Sequence, residues 1–361
     1  MDLKPQATDG HPATGSDVPG TVLETEEIAS ILNHYEIGDI SSIRVYPRGS
    51  SRSPKALVES GIGPLLLKRR GPGRDDPHRI LFEHAVHEKL DESGYPVAEI
   101  IRSARSQSTV VRSETGIYEL FRYVKSSRCD GSAKSLESCG EVLAIMHDTL
   151  SGMDTDAPQV QGYHGSTELT AALKRYGEAL GSEGQDMCQI LLRSCVDAAS
   201  AVESLGWSGW TRTVMHGDWH PGNVLFGNDG KVSLVLDFDA VRIDPHVSDI
   251  AAAVLHFGRY VACRVRGEES TWPLQIDHDA AASIIKGYVS ASTSDFLDSL
   301  IIMAIPELMV EAVIMETMPP LIRDGRFGHY EADEFLPLVV KSIQQIQEES
   351  GPLIRKMKEK I

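Results

Sequence analysis

The sequence predicts an α+β protein of two lobes: a small antiparallel-sheet N-lobe with one helix, then a larger, mainly helical C-lobe. Three observations predict it. Residues 41–73 read as three strand-like runs in succession, and a helical stretch and two more strand-like runs follow them. From Ser135 onward apolar residues recur at helical spacing, and 361 residues are enough for two cores. The division falls near residue 125, which gives a tail over 1–22, a small sheet lobe over 23–124 and a helical lobe over 125–361.

The opening MDLKPQATDGHPATGSDVPG is polar, rich in Pro and Gly and without the apolar stretch of a signal peptide, so it reads as a disordered tail. In TEEIASILNHY, Thr25 is followed three residues later by Ile28, so a capping box on Thr25 fails, although Glu26 and Glu27 suit a first helical turn. SSIRVYPRG, KALVESGIG and PLLLKRRGPG are the three strands, with Gly61–Gly63 and Gly71–Gly73 in their turns. RILFEHAVHEKLDESG is a helix that stops on Gly94, and STVVRS and GIYELFRYV complete the sheet.

The helical lobe opens with SLESCGEVLAIMHDTL and DMCQILLRSCVDAASAVESLG, each with one apolar face. A strand-rich interval over 213–243 interrupts it, after which SDIAAAVLHFGRYVA, DHDAAASIIKGYVSA and a last helix through Leu338 to Gln347 follow. Between them, Phe296 to Met318 is strongly apolar, but Asp298, Glu307, Glu311, Glu316 and Pro306 interrupt it. No run reaches the roughly 18 uncharged residues of a spanning helix. A buried helix pair broken at Pro306 is expected, and the protein is placed in the cytoplasm.

The formal charge, 35 − 52 = −17, argues against sequence-independent binding to nucleic acid or to an anionic membrane. Between Ser41 and Arg74, however, eight basic residues face one acid, Glu59, which suits either a solvated face or a polyphosphate ligand. Five cysteines without CxxC spacing suggest neither a disulfide framework nor a zinc ribbon.

The chemistry concentrates in VMHGDWHPGNVLFGNDGKVSLVLDFD, Val214 to Asp239. Val224–Phe226 and Val232–Leu236 are short apolar runs joined through Asn228-Asp229-Gly230, a hairpin signal. Closing that hairpin brings Asn223, before its first strand, near Asp237, after its second, with Asp218 five residues upstream on the entering loop. Phosphoryl transfer needs such a set: a carboxylate to orient a hydroxyl and accept its proton, and oxygen ligands to hold Mg²⁺ on a triphosphate. Asp218 suits the first role; Asn223 and Asp237 suit the second.

HGDWHPGNVLF followed by VLDFD resembles the catalytic and metal-binding segments of the aminoglycoside phosphotransferase family, which includes choline kinases and one type of homoserine kinase and has a protein-kinase-like fold. The resemblance implies Asp218 as catalytic base, Asn223 and Asp237 as magnesium ligands, and ATP with Mg²⁺ as cofactors. LLLK is similar to that family's third-strand lysine motif, which makes Lys68 an α/β-phosphate contact, and Glu83, with Glu88 as fallback, its helix partner. YELFRYV resembles the linker whose backbone meets adenine, at Phe121 and Tyr123. PRGSSRS occupies the place of the nucleotide loop (Gly49, Ser50, Ser51) but lacks the second glycine and the Asn of the pattern. His147 matches the family's Leu-Ala-x-x-His helix, and Asp249 matches its Asp-Leu-Ala element; both read as structural. Asp239 reads as fixing its loop rather than binding metal.

The implied reaction is transfer of the γ-phosphate of ATP to a hydroxyl of an amino alcohol, a sugar or an aminoglycoside-like acceptor. Asp277, Asp279, Glu307, Glu311 and Glu316 could line a pocket for a cationic acceptor or form solvated faces, and the sequence leaves both open. TEEIASILNHYEIGDISSI resembles the opening of homoserine-kinase-type members, which favours a metabolic acceptor. Two alternatives are a catalytically silent nucleotide-binding kinase fold and a metallohydrolase using His216, Asp218 and His220. Pro221-Gly222 ends that histidine run at once, and no second His-rich cluster follows. No APE-like element follows Asp237, which leaves little room to dock a peptide.

Overall fold

A computed structural model of the chain describes residues 23–47, 52–153, 162–266, 272, 274–294 and 297–361. The expected tail over 1–22 and the loop residues Gly49, Ser50 and Ser51 lie outside the described residues. The chain forms two compact units. Residues up to His84 together with Ala98–Lys125 make the smaller; Ala85–Val97 together with Ser126–Ile361 make the larger.

The smaller unit begins with α1 (Thr25–Leu32), whose N-cap is Glu24, in a capping box with Glu27. The box that fails on Thr25 therefore forms one residue earlier, with a carboxylate in the place usually taken by a hydroxyl. The strands β1 (Ile40–Tyr46), β2 (Lys55–Ser60) and β3 (Gly63–Arg69) precede α2 (Pro77–Glu92), and β4 (Val111–Ser113) and β5 (Gly116–Arg122) follow it. They pair antiparallel throughout, in the order β1-β2-β3-β5-β4.

The two-residue period of a strand sorts the side chains of this sheet. Ala56, Val58, Leu65, Leu67, Tyr118 and Leu120 join Ile28, Ile31 and Leu32 of α1 in one apolar cluster. The intervening positions take the opposite face, where Lys68 stands in register with Glu119. The core thus fixes which side of the sheet carries the charged groups.

The larger unit is mostly helical. It contains α3 (Ala133–Leu150), α4 (Thr167–Glu178), α5 (Ser182–Ser204), α6 (Val247–Arg266), α7 (His278–Ala291), α8 (Ser299–Asp324) and α9 (Ala332–Lys358). Sequence periodicity passed over α4, although Ser166 supplies its N-cap by accepting from the Leu169 N–H at 3.2 Å. The pair expected over 296–318 is one continuous helix, α8, with Pro306, Pro319 and Pro320 inside it. A proline within a helix costs about 3 kcal/mol. Burial of Ile301, Ile302, Ile305, Leu308, Met309, Val313 and Ile314 along α8 outweighs that cost. α9 likewise runs past the expected Leu338–Gln347 at both ends, through Pro337 and Pro352. Among the described residues no helix is long and apolar enough to cross a membrane.

α3 and α7 cross with their backbones in contact. A Cβ at Gly140 would lie 2.0 Å from the Ile284 carbonyl oxygen, and one at Gly287 would lie 1.9 Å from that of Glu137. This crossing brings His147 Nδ1 within 2.9 Å of the Tyr288 hydroxyl. Between α5 and α6 lie β6 (Arg212–Met215), β7 (Val224–Phe226), β8 (Val232–Val235) and β9 (Arg242–Pro245), paired as β6 with β9 and β7 with β8, both antiparallel. The hairpin expected over 224–236 is β7–β8.

Candidate active site

The two short ladders place two loops side by side. One ladder ends at Met215 opposite Arg242 and the other starts at Val224 opposite Val235, so residues 216–223 and 236–241 leave the strands together. Two bonds join them: His216 Nε2 donates to the Leu236 carbonyl at 2.9 Å, and the Leu236 N–H donates to the Asn223 carbonyl at 2.9 Å. Asp249 on α6 supports them from below, accepting the His216 N–H at 2.7 Å and the Gly217 N–H at 2.9 Å. His147 Nε2 lies 3.2 Å from the same carboxylate. Burial works to raise the Asp249 pKa, but the bond and charge of His147 and the fields of His216 and Arg242 outweigh it and hold the group ionised, below the usual carboxylate range. Asp249 and His147 are thus the structural supports that their motifs implied.

Asp218 and Asn223 are directly bonded. Asn223 Nδ2 donates to the Asp218 backbone carbonyl at 3.0 Å and to Oδ2 of its side chain at 2.9 Å. With both Nδ2 hydrogens used, the Asn223 Oδ1 has no hydrogen-bond partner among the described residues and is available to a cation. Asp237 follows β8 with φ 62° and ψ 67°, a left-handed conformation that costs a side-chain-bearing residue about 1–3 kcal/mol. An amide oxygen and a carboxylate at one hairpin mouth are the oxygen donors that a hard divalent cation takes.

Asp218 is half-exposed and ionised. Desolvation pushes its pKa up, but the bond from His220 and the fields of His220, His216 and His256 bring it well below the usual carboxylate range. His220 answers with the opposite shift: burial opposes its charge, and the bond and charge of Asp218 with the fields of Glu316 and Asp237 raise its pKa.

The histidine cluster is not a metal centre. The fully buried His216 ring accepts from the Asp218 N–H at Nδ1, 3.2 Å away, and donates from Nε2 to Leu236, so neither nitrogen is left for an ion. Among the described residues no group of three or more His, Cys, Asp or Glu side chains is arranged to hold one. Nothing in this geometry supports the metallohydrolase alternative.

The sheet of the smaller unit holds a buried charge network. Lys68 Nζ lies 4.0 Å from Glu119, and Arg70 reaches Glu119 at 2.5 Å and Glu83 at 2.7 Å. Glu83 also pairs with Arg79 at 2.9 Å, and His84 Nε2 lies 2.7 Å from Glu119. Burial raises the Glu119 pKa, yet the His84 bond and the Lys68 and Arg70 charges prevail and lower it. Glu119 and Arg70 are not marked by any sequence motif, since the basic stretch over 41–74 suits either a solvated face or a polyphosphate. The signal was the strand register, which sets residue 119 opposite residue 68. Phe121 is paired within the sheet, with Leu66 on one side and Ile100 on the other, and the Tyr123 N–H donates to the Pro64 carbonyl at 2.9 Å.

Four of the five acids considered for an amine pocket have partners within the larger unit, while the pKa of the fifth, Glu307, is raised by burial and by the charges of Glu311 and Asp197. Asp277 caps α7 through the Ala280 N–H at 2.8 Å, and Asp279 pairs with Lys356 at 2.8 Å. Glu311 is buried against His164 at 2.7 Å, and Glu316 meets His256 at 2.9 Å.

Residues 42–282 match the profile of the phosphotransferase enzyme family, APH, about two thirds of the chain. The chain belongs to that family. This phosphotransferase is 25% identical over 240 residues to a homoserine kinase of Caulobacter sp. (strain K31), covering 65% of this chain and 70% of that one. It is 26% identical over 282 residues to a homoserine kinase of Rhodopseudomonas palustris (strain ATCC BAA-98 / CGA009), covering 76% and 77%. In fold it is similar to an amicoumacin kinase in complex with AMP-PNP, Ca²⁺ and Ami (TM-score 0.68, 16% identity, 90% of this chain and 94% of that one). It is also similar to a microcompartment-associated aminopropanol kinase (TM-score 0.63, 16% identity, 92% and 99%). A spectinomycin phosphotransferase in complex with ADP and spectinomycin shares the fold as well (TM-score 0.57, 14% identity, 93% and 98%). The architecture is accordingly the two-lobe α+β, protein-kinase-like one that the phosphotransferase's sequence predicted.

Proposed function

We propose that this phosphotransferase moves the γ-phosphoryl group of ATP to the hydroxyl of a small metabolic amino alcohol, with an acceptor of homoserine's type favoured over an antibiotic. One observation carries the reading: Asn223 bonds Asp218 at 2.9 Å while its own oxygen and the strained Asp237 share a hairpin mouth. The homoserine kinase relatives support the choice of acceptor.

Asp218 orients the acceptor hydroxyl and takes its proton; the hydroxyl oxygen bonds to the γ-phosphorus as the bridging P–O bond breaks and ADP leaves. Because Asp218 is ionised well below neutral pH, it is a weak base and a strong hydrogen-bond acceptor. That suits a loose transition state in which positioning exceeds proton abstraction in importance. Asn223 and Asp237 would hold magnesium, which supplies charge neutralisation on the β- and γ-phosphates. Lys68, ordered by the charge network around Glu119, would contact the α- and β-phosphates.

The test is a thermal-shift titration with ATP and GTP, with and without MgCl₂, followed by turnover with L-homoserine, aminopropanol, sugars and spectinomycin. Magnesium-dependent stabilisation by nucleotide and turnover of an amino alcohol are expected. Nucleotide binding without turnover of any hydroxyl acceptor would instead establish the silent kinase fold.

A further inference from the structure

Two donors converge on one oxygen of Asp218. Asn223 Nδ2 lies 2.9 Å from Oδ2, and His220 Nε2 stands 3.5 Å from that same atom. The second distance is that of a loose contact, of the kind that tightens when reactants are in place. The tautomer of His220 suits it. The Gly222 N–H points at His220 Nδ1 from 2.9 Å, which makes Nδ1 an acceptor and puts the ring proton on Nε2, facing the carboxylate.

The ring is held in that pose from both sides. The His256 ring meets it edge-on, with centroids 6.0 Å apart and planes at 69°, and Glu316 of α8 fixes His256 at 2.9 Å. On the other side the ring folds over residue 222, where a Cβ would lie 2.6 Å from His220 Cε1 and 2.9 Å from Nδ1. Only glycine leaves that space open.

We infer that His220 is a positioning residue: together with Asn223 it pins Oδ2 of Asp218, which leaves Oδ1 as the atom that meets the acceptor hydroxyl. In the transfer, the hydroxyl O–H bond breaks as the Oδ1–H bond forms, and the electron pair released on oxygen makes the bond to phosphorus while the bridging P–O bond breaks and its electrons leave with ADP. A carboxylate held by one donor alone rotates about its Cβ–Cγ bond and spends less time with Oδ1 in line. Such a loss lowers the rate of the bound complex and leaves the binding of both substrates unchanged. The inference rests on the reading of Asp218 as the group that receives the acceptor.

The experiment compares kcat and both KM values of the full chain with those of its His220→Ala, His220→Gln and Gly222→Ala variants, using ATP, MgCl₂ and whichever of L-homoserine, aminopropanol and spectinomycin the wild type phosphorylates. His220→Ala should lower kcat by about 10- to 100-fold, with both KM values within about two-fold of wild type. His220→Gln, whose amide nitrogen can reach the place of Nε2, should recover most of that loss. Gly222→Ala, which keeps the imidazole but displaces it, should match His220→Ala, with melting temperatures near wild type throughout. An unchanged kcat in His220→Ala overturns the inference. So does an equal loss in the Ala and Gln variants that is accompanied by raised KM values or a lowered melting temperature. A wild type inactive on all three acceptors overturns the proposed function itself, and the positioning role with it.

Discussion

Asn223 gives both hydrogens of its side-chain amide to Asp218, one to the backbone carbonyl and one to the carboxylate. The proposed base and the proposed metal ligand are therefore one mechanical unit. Asn223→Ala should reduce turnover by more than the loss of one cation ligand explains. It should also leave a residual defect of about 10²-fold at saturating magnesium, the scale of a misplaced reacting group. Asp218→Ala should cost about 10²- to 10⁴-fold in kcat and spare nucleotide binding. Full rescue of Asn223→Ala by excess magnesium would show that its bonds to Asp218 do not matter.

Asp237, the second proposed metal ligand, sits on strained backbone. Its left-handed backbone, φ 62°, is a conformation that glycine adopts without strain. Asp237→Gly should keep or raise the melting temperature, by up to the few degrees that relief of about 1 kcal/mol gives, while abolishing the magnesium dependence of nucleotide binding. A melting temperature that falls by several degrees would mean that the side chain, rather than strain relief, dominates at this position.

Fold class, the five strands, the β7–β8 hairpin and the closeness of Asp218 to Asn223 were legible because each rests on local pattern: period two, Asx-Gly turns, and spacing within one loop. What escaped depends on pairing across the chain. Glu119 meets Lys68 and Arg70 only through strand register, and Glu27 meets Arg69 at 2.7 Å only once α1 packs. The integrity of α8 escaped for a different reason. The cost of a proline is local, while the apolar residues that offset it are buried only in the assembled unit.

The crossing of α3 and α7 should tolerate no side chain at its contact. Gly287→Ala places a Cβ 1.9 Å from the Glu137 carbonyl, against backbone that cannot turn aside. Overpacking of this kind costs about 1–3 kcal/mol, and separating the helices also pulls Tyr288 from His147. Denaturant unfolding should show the loss. Gly152→Ala is a poor control, because its φ of 71° would add strain, whereas Gly181 has nothing within 4 Å of an added Cβ and no such backbone. Equal stability of the 287 and 181 alanine variants would mean that the helices can part without cost.

His246 sets a pH dependence of stability with a definite sign. Burial, together with the field of His147 stacked 4.4 Å away, lowers its pKa to about 3 against the opposing charge of Asp249. The folded chain therefore keeps the ring neutral, while the unfolded chain protonates it near pH 6.5. Between pH 6.5 and about 3 the unfolded state binds the extra proton, so this contribution is complete above 6.5 and is lost as pH falls. His164 and His220 act in the opposite sense. Their raised pKa values give stability that is present below 6.5 and lost as pH rises through the folded values. The melting temperature of the wild type alone thus mixes both signs, and the difference between wild type and variant separates them. His246→Gln cannot protonate, so its melting temperature should fall less than that of the wild type between pH 7 and 5. Parallel curves for the two proteins over that interval would show that His246 takes up its proton in the folded state as readily as in the unfolded one.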